Sequence, residues 1–547
     1  MRVSVILPSI DLVTDPENDV DVNGANLALW IQLRTYANHP AFTELELFLS
    51  PRDFANQEGI SEFARRLLRE ENRGKGRVSV HSIYALGDIW ADGVPRVLHT
   101  DDMWALFRDR TLRDQFARGP IVHVCDTHCM GHAPLHESMR ATAELPKRPG
   151  DTIFPCSWAT GRAITKSYGA DFPYEINPIH RRIDDRDLRP AFPGEKEQIR
   201  ESMGLPIDLK FAVFVGRLTP AVKGELTLLI DALAEMGDEP VGLVIAGVPN
   251  MVGYPELLRK YAEQCGVSDR VFIFGRFALS QRPKWYQLAD LFLFPGDCIN
   301  EAFGQTTLES MACGIPVLQS NWSGMGETVT SEYGSLIPTL AAPAPERLTA
   351  MSTALGMPPQ FLALAQTLVI DRQVWFDEFR RWMTDDTARI EAGNRAREVY
   401  LNQFTPAIQE AKWVALLKSA LAEAIAGFST PIAPSGRKTD IPVMVDYDAV
   451  SESYTSETWS EDRRFIWTPR GREWQAGRLS PMIYDELSGF VDLNQLAGIA
   501  RIASRAGGTM GTTAKTFADE LAQGFVTRKD VFFHLMLLAK QGFLRIE

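Results

Sequence analysis

Residues 211–224 read Phe211-Ala212-Val213-Phe214-Val215-Gly216-Arg217-Leu218-Thr219-Pro220-Ala221-Val222-Lys223-Gly224, and this stretch decides the fold. Five apolar residues run without polar alternation and stop at a glycine. That is the signature of a strand covered on both faces, as in a parallel sheet flanked by helices. The pattern then repeats downstream. Helices are predicted over 225–236, 255–265, 285–289 and 306–313. Strands are predicted over 241–246, 271–274, 291–294 and 316–318, the first two closed by Gly247 and Gly275. Such alternation predicts a doubly wound α/β domain, with ligand chemistry at the carboxyl ends of the strands.

The same rhythm, less sharply drawn, occupies the first third of the chain. Strands are predicted over 3–7, 45–50, 96–99, 121–125 and 152–156, and helices over 23–38 (entered through Asn23-Gly24) and 61–71. Residues 181–193, rich in Arg, Asp and Pro, read as a connection between domains. The expected fold class is α/β, with two Rossmann-like doubly wound domains facing a cleft. Residues 338–397 read as mostly helical and longer than domain closure needs, so part of them reads as an insertion. Residues 427–440 read as a linker, and 441–547 as a separate module.

A chain of 547 residues with 45% hydrophobic and 23% charged residues has the composition of a soluble globular protein. The net charge of −13 disfavours nucleic acid as a partner. No apolar run approaches the ~20 residues of a membrane helix. The apolar start, Val3 to Leu7, is cut off by Pro8 and Asp11, too short for a secretory signal. Six cysteines in this length do not make a disulfide framework. The expectation is a cytoplasmic protein, with peripheral contact at the inner face of the membrane left open.

The chemistry is concentrated in Asn300-Glu301-Ala302-Phe303-Gly304-Gln305-Thr306-Thr307-Leu308-Glu309-Ser310-Met311-Ala312-Cys313-Gly314-Ile315-Pro316-Val317. Glu301 falls on the loop after a strand. Glu309, eight positions on, falls about a turn into the next helix. Ala302, Phe303 and Gly304 lie just before that helix, where free N–H groups and the helix dipole accept a phosphate. Ionised carboxylates on either side accept hydrogen bonds from sugar hydroxyls. Gly216-Arg217, with Lys223-Gly224 six positions later, supplies a forked donor and a point charge for a diphosphate. Any one of these pieces is unremarkable as a turn or a solvated charge. Their ordered occurrence at strand ends is what carries the reading.

The set resembles the retaining glycosyltransferases of family four, of GT-B fold, over about residues 1–426. The resemblance implies an N-terminal acceptor-side domain, 1–185, completed by helix 405–426, and a nucleotide-sugar-binding domain, 186–404. It implies that Glu301 contacts the donor sugar and Glu309 the nucleotide ribose. Arg217 and Lys223 would bind the diphosphate, and the Gly275-Arg276-Phe277 turn the base. Where the family has a glycine pair entering the first helix, only Gly24 stands here. The family's histidine beside the donor sugar maps to His128, with Asp126 at the exact register position and His132 as a further substitute. The implied activity is transfer of a sugar, of hexosyl type, from a nucleotide-sugar donor to an acceptor hydroxyl with retained configuration. The acceptor would be a saccharide, a lipid-linked or a protein hydroxyl, with no resident cofactor and no metal. Arg162, Lys166, Arg181 and Arg182 would line an interdomain face that docks an anionic acceptor or headgroups, unless they are simply solvated.

Two readings of other classes remain beside it. One is a non-catalytic nucleotide-sugar sensor or scaffold. The other is a zinc site, because His123, Cys125, His128, Cys129, His132 and His136 fall within fourteen residues, although in no known finger spacing. Residues 441–547 hold 12 Lys/Arg and 14 Asp/Glu, which favours a protein partner over DNA. Helices over 493–506, 513–524 and 527–542 and a strand over 543–546 predict a small winged-helix-like module there.

Overall fold

The computed structural model describes residues 1–7, 13, 24–50, 53–54, 57–428, 447–483, 491–505, 511–523 and 526–547. Asn23 and most of the expected linker, 429–440, lie outside them. The described residues divide into two units. One comprises 1–186, 278–280 and those of 402–443; the other comprises 187–277, 281–401 and those of 444–547.

The first unit is built on a seven-stranded sheet. Its strands are β1 (Arg2–Leu7), β2 (Glu44–Leu49), β3 (Val78–Ser82), β4 (Arg96–Thr100), β5 (Ile121–Thr127), β6 (Thr152–Pro155) and β7 (Glu175–Ile176). Their order is β3-β2-β1-β4-β5-β6-β7, with every pairing parallel. β5 is buried at all seven positions, which is why it carries no polar alternation over 121–125. The helix Pro406–Ala426 returns to this unit and places Trp413, Leu417 and Ala420 in one core with Val3, Val122, Val124 and Phe154.

The second unit has six parallel strands. They are β8 (Lys210–Val215), β9 (Val241–Ala246), β10 (Val271–Phe274), β11 (Leu291–Phe294), β12 (Val317–Ser320) and β13 (Gly334–Ile337), in the order β10-β9-β8-β11-β12-β13. Strand order therefore reverses between β8 and β11. The region expected to be mostly helical begins differently. β14 (Thr339–Ala341) pairs antiparallel with β15 (Leu368–Ile370), and only the helices between and after them follow the expectation. Strands of three residues are too short to impose a period on the sequence.

The C-terminal segment forms a three-stranded antiparallel sheet, with β16 (Arg464–Trp467) between β17 (Thr512–Thr513) and β18 (Leu544–Ile546). Helices Leu493–Arg505, Ala514–Leu521 and Arg528–Lys540 accompany it. Thr527 and Asp530 close a reciprocal capping box at the start of the last helix. Set apart as a module by the sequence reading, the segment lies within the same unit as 187–277 and 281–401. Helix Arg528–Lys540 shows why: every residue from Asp530 to Lys540 is buried. A helix covered on all sides is a core element.

The first unit also buries an ionic network. Asp151, fully buried, accepts from Arg110 Nη1 at 2.7 Å, from Arg113 Nη1 at 2.5 Å and from the His123 backbone N–H at 2.9 Å. Removing the carboxylate leaves two buried guanidiniums short of their counter-charge. Asp151→Ala is expected to lower the unfolding free energy by about 3–5 kcal/mol, read by urea denaturation; a loss below 1 kcal/mol would show that the network contributes little.

Candidate functional site

The loops leaving β8 and β11 part at the point of strand reversal, where open α/β sheets hold ligands. Lys223, on the first loop, donates to Glu301 Oε2 on the second at 2.6 Å. Its ammonium also stands 5.6 Å from the Phe294 ring centroid. The other carboxylate oxygen, Oε1, accepts from the Gly304 backbone N–H at 2.9 Å. Glu301 thus ties the cation to the start of helix Gln305–Ala312. Gly304 has φ +80°, and a Cβ there would meet the Phe294 ring at 2.8 Å. Gly224 has φ +146°, and its Cβ would fall 2.0 Å from the Pro295 carbonyl oxygen. Both positions therefore require glycine. The Gly224 position also shows how closely the two loops approach.

Arg217 is half-buried at the end of β8 and has no acidic partner among the described residues. An arginine with no acidic partner among the described residues can bind an anion. Ala302 and Phe303 are buried, and the Ala302 carbonyl accepts from Ser323 Oγ at 3.1 Å.

Glu309 is buried, not solvated. Arg282 Nη1 donates to Oε1 at 3.0 Å and the Tyr286 hydroxyl to Oε2 at 2.5 Å. Burial and the neighbouring carboxylate push the Tyr286 hydroxyl well above its usual range, so it remains a donor. Two residues that the sequence reading missed therefore hold this carboxylate. They come from the helix Arg282–Gln287, and nothing in its local pattern marks them. Each oxygen keeps a second acceptor direction for a further hydroxyl. Trp285 of that helix packs against Phe277, with centroids 5.1 Å apart. Gly275 and Arg276 are exposed after β10.

In the first unit, Gly24 opens helix Gly24–Asn38. Asp126 ends in the buried part of β5 and accepts from Arg181 Nη1 at 2.6 Å. Burial pushes its carboxyl up, but Arg181 and His99 together hold it well below the usual range. Arg181 Nη2 donates to His128 Nδ1 at 3.2 Å. The proton of neutral His128 then sits on Nε2, facing Asp101 Oδ1 at 3.3 Å. Arg181 and Arg182 are thus not available for docking. Arg182 is buried and donates to Thr35 Oγ1 at 2.5 Å and to Gln32. Arg162 and Lys166 are exposed. Asp101 and the adjacent Asp102, unforeseen from the sequence, follow directly on the end of β4.

The His/Cys stretch does not converge. His123 lies between Tyr174 and Thr100, His136 bonds the Met130 carbonyl, and His132 packs against the Trp104 ring at a tilt. Among the described residues no three His, Cys, Asp or Glu side chains form a ligand set for a metal. Among the described residues, too, no helix is long and apolar enough to cross a membrane.

Two Rossmann-like parallel sheets of this order define the GT-B glycosyltransferase fold. Residues 195–345 match the family model described as glycosyl transferases group 1. Over 233 residues the chain is 29% identical to the D-inositol 3-phosphate glycosyltransferase of Xylanimonas cellulosilytica, covering 40% of this chain and 54% of the relative. Over 227 residues it is 34% identical to the enzyme of that name from Mycolicibacterium smegmatis, covering 39% and 49%. The chain thus spans about half the length of these curated relatives. The fold is also that of Anabaena Alr3699/HepE in complex with UDP, with TM-score 0.54 and 17% identity over 77% of this chain and 100% of that one. Sucrose-phosphate synthase from Thermosynechococcus elongatus gives TM-score 0.52 and 16% identity over 77% and 99%.

His128 titrates against this background. Burial and Arg181 lower its pKa, Asp101 and Asp102 raise it, and the carboxylates prevail. A raised pKa makes its contribution to stability complete below the ordinary histidine value of 6.5 and lost as pH rises through the folded value. NMR titration is expected to place His128 above 6.5, and Asp101→Asn to bring it down. An unchanged value in that variant would exclude Asp101 as the cause.

Proposed function

We propose that this chain is a retaining glycosyltransferase that moves a hexosyl group from a nucleoside-diphosphate sugar to an acceptor hydroxyl. The observation that carries the reading is the Lys223–Glu301 pair, tied to the helix start at Gly304, with Arg217 on the same loop as Lys223. It lies within the stretch that matches the group 1 family model.

In the proposed mechanism, Arg217, Lys223 and the N–H groups before helix Gln305–Ala312 stabilise charge growing on the departing diphosphate. Fixed cations and dipoles do this without reorganising during the reaction. Glu301 accepts hydroxyls of the donor sugar and orients it. Glu309 accepts the ribose hydroxyls in the directions that Arg282 and Tyr286 leave open. The acceptor hydroxyl attacks from the face the diphosphate leaves. Its proton passes to the departing phosphate oxygen, so the configuration is retained. Charge stabilisation comes from protein cations, so no resident cofactor or metal is invoked. The acceptor is a saccharide, lipid-linked or protein hydroxyl, reached from the cytoplasm.

A thermal-shift screen of nucleotide sugars tests the reading first, because a ligand that binds only the folded state raises Tm. UDP-glucose belongs in it because the Anabaena neighbour is known in complex with it. D-inositol 3-phosphate belongs among the acceptors because the relatives are named for it. A product whose anomeric configuration is inverted, or no stabilisation by any nucleotide sugar, overturns the reading.

The variants then separate the roles. Arg217→Ala breaks no ion pair among the described residues, so Tm is expected to stay within a few degrees. Its kcat/KM is expected to fall by about 10²-fold or more. Lys223→Ala and Glu301→Ala are expected to cost at least as much, with some loss of Tm because each leaves the other charge unpaired. Near-normal turnover in purified Arg217→Ala and Lys223→Ala would sink the mechanism.

A further inference from the structure

Two elements of the C-terminal segment converge on the loop after β11. The first is Lys540, at the end of helix Arg528–Lys540. Its ammonium bonds Asp297 Oδ2, with both side chains only 2% exposed, and donates to the Ala365 carbonyl at 3.0 Å. The second is Tyr454, on helix Tyr447–Tyr454. Its ring meets Trp322 edge-on at 5.1 Å, and Trp322 Nε1 donates to the Cys298 carbonyl at 2.8 Å.

Asp297 also faces the other loop. Its Oδ1 accepts from the Glu225 backbone N–H at 3.3 Å, two residues beyond Lys223. Adjacent to this bond, Gly224 lies flush against the Pro295 carbonyl. One buried carboxylate therefore joins the loop carrying Arg217 and Lys223 to the loop carrying Glu301 and Gly304, and its counter-ion comes from 243 positions away. Burial pushes the Asp297 carboxyl up to about 6, against the pull of Lys540. Without Lys540, ionisation at that depth would be strongly opposed.

We propose that Lys540 is a positioning residue for the donor site: through Asp297 it fixes the two loops that present Lys223 and Glu301, which makes the C-terminal segment an integral part of that site. The inference rests on the donor-site reading above. Groups that hold binding side chains in place set the precision of a site even when they never touch its ligand.

Hydrogen exchange by mass spectrometry on the full chain tests the proposal, comparing wild type, Lys540→Met and Lys540→Arg. In Lys540→Met, peptides covering 216–226 and 295–304 are expected to exchange at least tenfold faster, while those covering β8 and β11 are unchanged. Lys540→Arg, which keeps the charge, is expected to recover most of the protection. In parallel, KM for UDP-glucose is expected to rise at least fivefold in Lys540→Met, with a smaller change in kcat. Unchanged exchange in the two loops overturns the proposal, and so does exchange that rises equally across the whole second unit. Should Lys540→Met not fold, Lys540→Met with Asp297→Asn leaves no unpaired buried charge and takes its place, with the same expected results. The exchange measurement needs no donor. If the loops loosen as expected but wild type binds no UDP-glucose, the role of Lys540 in fixing them stands and the donor reading for that sugar falls.

Discussion

The reversal of strand order between β8 and β11 is the constraint on which the candidate site depends. Connections from β8 run toward β9 and those from β11 toward β12, so the two loops between them are drawn apart at their carboxyl ends. A gap opened by topology has no side chains of its own to fill it. Here it is bridged by Lys223 and Glu301 at 2.6 Å. The bridge sets a cation, a carboxylate and a helix start at fixed separations. These are the three groups that the proposed donor, a diphosphate with sugar hydroxyls on both sides, would meet.

Much of this was legible in the residues. β8, β9 and β11 are buried on both faces and so read as unbroken apolar runs. Glu301, Arg217, Lys223 and Gly304 declared themselves by position at strand ends. Their mutual bonding did not, because spacing along a chain says nothing about which loop folds back on which. Glu309 shows the same limit. The motif located the carboxylate, but Arg282 and Tyr286, which hold it, sit on a six-residue helix without a distinguishing pattern. Arg181 and Arg182 looked like members of a surface charge cluster. They are consumed by Asp126, Thr35 and Gln32, and a list of charges cannot tell a solvated face from a set of buried ties.

Short antiparallel strands escaped for a different reason. β14, β15 and β17 span two or three residues each, too few to show a repeated alternation. They are defined by the partner they find and not by their own sequence. The apolar face of helix Arg528–Lys540 was equally ambiguous. Its residues predicted a helix correctly, but only the structure shows that almost all of its surface is covered and that its last lysine faces a carboxylate in the other half of its unit.

The division of the chain bears on how it folds. Residues 402–428 are given to the first unit, and the second resumes only with the segment beginning near 447. Neither unit is a continuous stretch. The core around Val3 closes only when Trp413 arrives, and the carboxylate of Asp297 waits for Lys540. Loops of hundreds of residues add little extra closure cost per doubling of length, but their contacts form late and slow the search for the native state. During synthesis both units would therefore exist for some time with their sheets formed but their cores not fully covered. A chaperone that shields exposed apolar surface would have its longest engagement with this protein in that interval.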